Sequence, residues 1–352
     1  QLQLNDTMKP NIETHLQSQV ISFLRFPLIV AVVFIHTQIT AIGGIKANLS
    51  APFQFAGQFP IYETTVFLVA QIFARLAVPL FFIFSGFLFF KKCDEFNTST
   101  YFNKLKKRTH SLLIPYLFWN LLFIVLSSQF ADSIKDWLIL FWRPASLQLW
   151  FIRDLMVVVL FSPLIYWLTK KTKHYFPLTL CILWLMQWWF KIKGISIEAF
   201  FFFSLGGYFS ITKKNFVELV KNKHSVLTML YFILVLATLL LRNCEYVLYI
   251  RRLSIAAGVP FIVSLTANCI ERKKWKVNSF LEESSFFIYA YHIIAMQTLE
   301  GMFFSILPTT TEIKATILYF LFSFLLILIG LGLYALLKRF LPKTTAFITG
   351  GR

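Results

Sequence analysis

The stretch RFPLIVAVVFIH, Arg25–His36, decides how the rest of the chain is read. Ten consecutive apolar residues separate an arginine from a histidine. A run this apolar belongs in lipid, where ionisable groups are costly, rare and usually functional. The composition agrees. Of 352 residues, 57% are hydrophobic and 14% charged, and the mean hydropathy is +0.68. A soluble domain has roughly 45–50% apolar and about 25% charged residues. Similar apolar runs recur along the chain, continuous rather than alternating, which predicts membrane helices and excludes a β-barrel. The fold class expected is all-α, a polytopic membrane protein embedded in the lipid bilayer.

Ten spans are expected, at 20–42, 64–90, 111–129, 148–169, 175–190, 195–212, 225–241, 245–270, 279–300 and 313–337. Arg251 and Arg252 interrupt the eighth. The net charge of +18 does not imply a nucleic-acid partner, because Lys and Arg cluster in short loops between spans, where they act as topology signals. With a cytoplasmic N-terminus, 22 of the 34 Lys and Arg residues fall in inner segments, 7 in outer segments and 5 within spans. That bias places both termini in the cytoplasm. The domain organisation expected is a cytoplasmic segment 1–19, a membrane domain 20–340 and a cytoplasmic tail 341–352. The first run reads as a signal-anchor rather than a cleaved leader. Cys93, Cys181, Cys244 and Cys269 are scattered without metal-ligand spacing, so neither a metal nor a disulfide framework is expected.

Arg25 and His36 are eleven residues apart, which is three helical turns plus about 20°, so they share one helix face about 16 Å apart. Arg25 then sits near the cytoplasmic surface and His36 at or beyond mid-membrane. An anion-binding guanidinium below and an acid/base group above suit a long substrate with a phosphorylated head and a reactive tail. Acyl-coenzyme A is one such molecule. The plain alternative has Arg25 snorkelling to the interface and His36 hydrogen-bonding a neighbouring helix.

Two further residues reach the same depth. In RLAVPLFFIFSGFLF, Arg75 lies in the inward-running second span, too deep to snorkel easily, and suits stabilisation of an oxyanion or thioester carbonyl. Ties to helix-end carbonyls beside Pro79 would be its structural role. In SFFIYAYHII, His292 lies about 18–20 Å from the inner end of the ninth span. Two histidines and an arginine at one depth suggest a polar chamber. Ser85-Gly86 reads first as a small pair that permits close helix packing, and second as a nucleophile. Glu282 and Glu283 start the ninth helix favourably for its dipole, and Asp154 pairs with Arg153. Glu198, Glu245 and Glu300 are further acids near or within spans. An orienting carboxylate for His36 is not identifiable.

The chain resembles the acyltransferase-3 family of integral membrane acyltransferases. The likeness rests on the Arg-(ten residues)-His pattern, VPLFFIFSGFLF, KKRTHSLLIPYLFWN, LWFIRDLMVVVLFSPLI, FFFSLGGYFS and SFFIYAYHII, in that order over about 20–337. It is to the stand-alone members, such as fucose 4-O-acetylase-like and polysaccharide O-acetyltransferases. The resemblance implies a ten-helix fold and the transfer of acetyl from cytoplasmic acetyl-CoA to a carbohydrate hydroxyl or its lipid-linked glycan precursor. It makes His36 the essential histidine and Arg25 its partner, and places Arg75 and Ser85 in the second-span motif. Arg108 matches the basic loop before IPY. Where members often carry a second arginine three residues on, this chain has Ser111, leaving Lys104, Lys106, Lys107 or His110 to supply the charge. The esterase-like domain that some members append is not expected here. A bacterial inner membrane is the location implied.

The mechanism expected has Arg25, Lys107 and Arg108 holding the coenzyme phosphates, His36 acting as general base with Arg75 at the oxyanion, and His292 in the same chamber. A covalent acyl-His or acyl-Ser85 intermediate is a variant. The acceptor is expected from outside, past GGIKANLSAPFQFAGQFPIYE and the tryptophans Trp137, Trp142 and Trp150, which alternatively form an interfacial belt. The rival from another class is a transporter or flippase of a lipid-linked sugar or acylated polysaccharide. Such folds often show paired repeats, and none is visible here.

Overall fold

The computed structural model describes residues 3–47, 58–93, 95–128, 133–186, 196–241, 244 and 246–351, with side chains from His15 onward. The cations Lys191, Lys193 and Arg242, the acid Glu245, much of the first outer loop and part of the second lie outside the described residues. The helices are α1 (Gln3–His36), α2 (Pro60–Val66), α3 (Ala77–Phe90), α4 (Thr98–Arg108), α5 (Ile114–Ser127), α6 (Ile134–Trp142), α7 (Trp150–Leu160) and α8 (Ser162–Thr172). They continue with α9 (Phe176–Met186), α10 (Ile197–Ile211), α11 (Phe216–Lys221), α12 (His224–Leu240), α13 (Val247–Glu271), α14 (Ser279–Ile306), α15 (Glu312–Phe340) and α16 (Pro342–Thr349). The strands form one hairpin, β1 (Ala41–Ile42) against β2 (Ile45–Lys46), turning at Gly43 and Gly44, both at positive φ.

Among the described residues, five helical runs are long and apolar enough to cross a membrane: His15–His36, Pro60–Phe90, Thr98–Ser127, Val247–Glu271 and Glu312–Phe340. A sixth is counted if the bent pair Leu147–Leu160 and Ser162–Trp184 is one span. The chain is therefore a helical, multi-pass membrane protein. Among the departures from the expected runs, three have a clear physical content. The first stops at His36 rather than 42. The fourth is broken at Phe161 by 59°, because Pro163 lacks a backbone N–H and its ring crowds the carbonyl of Val159. The eighth is one continuous helix through Arg251 and Arg252.

Two runs change helix type part-way. A π-helical segment, Phe67–Phe73, passes into a 3₁₀ turn, Ala74–Leu76, before α3. A second π segment, Thr109–Leu113, joins α4 to α5. Each is followed by a proline, Pro79 or Pro115. A proline ring crowds the carbonyl four residues earlier, here Arg75 or Ser111. The irregular turns fall on those residues, which are motif positions.

The chain packs as two compact units. One comprises Gln1–Ala77 with Asn215–Leu331. In it α1 runs along α14 and α13, and α12 pairs with α13. Its core contains Phe34, Tyr62, Val66, Leu318 and Tyr319. The other comprises Val78–Lys214 with Gly332–Arg352. There α10 packs on α7, α8 and α9, and α16 on α5. Its interior is a ladder of aromatic rings that includes Phe82–Phe151 at 4.6 Å and Phe89–Phe90 at 5.0 Å.

Within this second unit α3 and α10 touch backbone to backbone. A Cβ on Gly86 would overlap the carbonyl of Phe203, and one on Gly206 the carbonyl of Ile83. In lipid, helices associate through such close contact of small residues rather than through the hydrophobic effect. Gly206→Ala should therefore lower the thermal midpoint of the detergent-solubilised protein, by the equivalent of about 1–3 kcal/mol for overpacking. Gly332→Ala, where a Cβ meets nothing within 4 Å, should leave it unchanged or raise it slightly. Equal midpoints for the two variants would refute the close contact.

Candidate functional site

The site begins where α1 ends. A helix leaves its last four carbonyls without intrahelical partners, and in an apolar interior each must find a donor. Three of the four in α1 do. Val33 O accepts from the Thr37 backbone N–H and hydroxyl, both at 3.2 Å. Phe34 O accepts from the Tyr319 hydroxyl at 2.8 Å, and Ile35 O from Gln38 Nε2 at 2.8 Å. Thr37 and Ser323 hydroxyls meet at 2.6 Å, and Ser323 donates to Tyr319 O at 2.7 Å. Each hydroxyl has one hydrogen and Ser323 gives its own to Tyr319 O, so the Thr37 hydrogen is shared between Val33 O and Ser323 Oγ.

The next residue is clamped as firmly. Tyr62 accepts from Ile39 N at 2.6 Å and donates to Ile39 O at 2.9 Å, pairing both backbone groups as a neighbouring strand would. Tyr62 is itself set by Glu312, whose Oε1 accepts from the N–H groups of Ile61 and Tyr62 at the start of α2. Tyr62 and Tyr319 are both fully buried. These partners fix the end of α1, and with it the backbone that carries His36.

His36 then faces His292, with ring centroids 5.3 Å apart and planes tilted by 45°. His292 is buried in α14. Its Nδ1 lies 2.7 Å from Tyr289 O and 3.2 Å from Ile288 O. Carbonyls only accept, so Nδ1 carries the hydrogen. Nε2 is buried and has no hydrogen-bond partner among the described residues. Arg75 comes from a turn that packs against α1. It stands in the 3₁₀ turn and donates from Nη2 and Nε to Gln71 Oε1, at 2.9 and 3.3 Å. The structure thus brings His36, His292 and Arg75 together within one unit.

Arg25 lies three turns back along α1 and does not join them. Its Nη1 is 2.6 Å from Glu282 Oε1, both side chains partly exposed. Glu282 thus both occupies the first turn of α14, as its sequence position suggests, and closes an ion pair with Arg25. Ser85, Lys107 and Arg108 belong to the other unit. Ser85 is half-buried beside Gly86, and Lys107 is exposed. The Arg108 guanidinium sits over the Phe89 ring at 5.6 Å, and Lys104 donates to the Phe89 carbonyl. Ser111 is covered by the backbone of Gly350.

Of the tryptophans considered for the acceptor, Trp142 already carries Arg153 over its ring at 5.6 Å. Arg153 pairs with Asp154 at 2.7 Å as expected, and Asp154 also accepts from Ser196 N at 3.0 Å. Sequence reasoning missed Tyr62, Gln71, Tyr319 and Ser323. Only Gln71 had a local signal, its spacing of four residues from Arg75 on one helix face.

Chemically, a neutral imidazole can remove a proton from a hydroxyl, and a nearby guanidinium can stabilise the oxyanion that such an attack creates. His36 is half-buried and Arg75 exposed.

Comparison with known proteins gives a consistent picture. Residues 19–336 match the model of the third acyltransferase family, described as an acyltransferase domain. The succinoglycan biosynthesis protein ExoH of Rhizobium meliloti (strain 1021) is 28% identical over 172 residues, 43% of this chain and 43% of that protein. The match thus spans less than half of the relative's length. No solved structure matches the chain.

The clamp on α1 is testable without any activity. Tyr319→Phe leaves the Phe34 carbonyl without its donor, at an expected cost of about 1–3 kcal/mol. Amide exchange should accelerate over Phe34–Ile39 while the second unit is unaffected. Unchanged protection there would show that Tyr319 does not hold the helix end.

Proposed function

Because the chain belongs to the acyltransferase-3 family, we propose that it moves an acyl group, acetyl in the first instance, from cytoplasmic acyl-CoA to a carbohydrate hydroxyl. The acceptor is a cell-surface glycan or its lipid-linked precursor, a reading supported by the relative named for succinoglycan biosynthesis. The setting is a bacterial inner membrane, crossed ten times with both termini in the cytoplasm. The charge bias of the loops supports that topology.

The observation that carries the proposal is the packing of His36 against His292, with Arg75 on a turn that contacts the same helix. His36 takes the proton of the acceptor hydroxyl as its oxygen attacks the thioester carbonyl. Arg75 stabilises the resulting oxyanion. The intermediate collapses with cleavage of the C–S bond, and the proton on His36 passes to the leaving sulfur, giving the ester and free coenzyme A. His292 packs against His36, and its buried Nε2 keeps a free lone pair. Arg25 stands about 16 Å from His36, three turns back along α1. Its pairing with Glu282 holds it at the donor's entrance, and an incoming phosphate competes with that carboxylate.

The test is release of coenzyme A from acetyl-CoA by purified protein supplied with an oligosaccharide acceptor. His36→Ala should lower turnover by about 10²–10⁴-fold, the usual contribution of a positioned base, with the thermal midpoint retained. Undiminished turnover excludes the base role. Movement of a lipid-linked sugar with no coenzyme A release is the result that the transporter reading requires.

A further inference from the structure

We propose that a cleft of about 430 Å³ between the α11–α12 turn and the C-terminal end of α13 is a binding site for a phosphate ester. Its polar lining comes from Lys221, His224, Ser225, Asn268, Arg272 and Lys274, with no carboxylate among the lining residues. The proposal goes beyond acyl transfer and stands without it, since the readout is binding rather than turnover.

The cleft is a built frame. Asn268 Nδ2 donates both of its hydrogens, to Lys221 O at 3.0 Å and to Ser264 O at 2.9 Å. His224 Nδ1 is 3.1 Å from Ser264 Oγ, and Ser264 donates to Phe261 O at 2.9 Å. The imidazole is therefore the donor to Ser264, and its Nδ1 is fixed. Lys221 bridges Glu218 at 2.9 Å and Glu271 at 3.0 Å. These contacts pin the α11–α12 turn to α13 from three sides. The charge of Lys221 is committed to the frame.

Arg272 and Lys274 are not committed. Among the described residues, neither side chain has an ion pair or hydrogen bond, although Glu218 and Glu271 stand nearby on Lys221. The first turn of α12 also faces the cleft through His224 and Ser225, with no side-chain cap on its amides. A planar guanidinium, a point-charge ammonium, a hydroxyl and an uncapped helix start all favour a multivalent oxyanion. The cleft is too small for a macromolecule and wide enough for a phosphorylated head group. It lies at the Arg25 end of α1, because Trp275, next to Lys274, stacks on Phe23 at 5.0 Å with planes 9° apart.

The phosphate can come from a soluble nucleotide or from a lipid head group, and two arms of one experiment separate them. The full chain is placed in nanodiscs of phosphatidylcholine and titrated calorimetrically with adenosine 3′,5′-bisphosphate. In the second arm, nanodiscs mixing phosphatidylcholine with phosphatidylglycerol are analysed by native mass spectrometry for retained lipid. In whichever arm binding occurs, Arg272→Gln and Lys274→Gln should each weaken it about tenfold, the loss of one charge-assisted contact. Lys274→Arg should preserve it. Both positions are exposed, so an unchanged thermal midpoint is the folding control. Nucleotide binding identifies a soluble ester, and selective retention of phosphatidylglycerol identifies a head group. No binding in either arm, or binding indifferent to both Gln variants, overturns the site and leaves a solvated basic loop that only sets topology.

Discussion

The structure depends on stopping α1 at His36 inside an apolar interior. Packed against buried apolar side chains, a helix end cannot leave its carbonyls unpaired. Its last turn must meet donors supplied by the protein. Tyr319, Gln38 and Thr37 provide them, and Tyr62 takes over both backbone groups of Ile39 one step further on. Each of these groups would itself be an orphan if the helix ran on. The tyrosine hydroxyls and the helix end therefore satisfy one another, and neither is stable in lipid without the other. The catalytic candidate sits at the one place in α1 where the backbone is irregular and over-determined.

The same logic separates two of the arginines that share a unit with His36, Arg25 and Arg75. Arg25 meets a carboxylate, which neutralises it and lets it rest at the edge of the membrane. Arg75 is oriented by the amide oxygen of Gln71, which accepts hydrogen bonds without carrying a formal charge. A guanidinium held this way is aimed without being titrated by its holder. Its turn has 3₁₀ geometry directly after a π-helical segment, a combination that re-aims side chains and recurs at functional sites. The cause is local: Pro79 crowds the carbonyl of Arg75.

Much of this was legible from local pattern. Continuous hydropathy gives helices, the eleven-residue spacing puts Arg25 and His36 on one face, and span depth brings Arg75 and His292 level with His36. The small pair at Ser85-Gly86 foretold close packing, which Gly86 makes against Phe203. What was not legible is long-range. Hydropathy carries α1 on to residue 42, since Thr37–Ile42 are apolar enough to continue. The stop is imposed by Tyr62, Tyr319 and Ser323, the last 286 residues away from Thr37. The Arg25–Glu282 pair spans 257 residues. Nor does composition reveal two interleaved units, because a chain built throughout for lipid has no polar linker to mark where one ends.

The register between α1 and α14 ties these observations together. Arg25 meets Glu282 and His36 meets His292. Going eleven residues along one helix moves ten along the other, so the two run parallel, with rungs about 15–16 Å apart. Parallel neighbours that both cross a membrane enter it from the same side. A hairpin cannot join such a pair, so the contact can form only after the intervening chain has been threaded back. The histidine rung is therefore a non-local contact, and its geometry rests on the clamped end of α1, on the carbonyls that hold His292 and on the pairing of Arg25 with Glu282. Shifting α14 by one residue would turn His292 about 100° away from His36 and part Glu282 from Arg25 at the same time. The ion pair at the accessible end thus fixes the register at which the buried imidazoles meet.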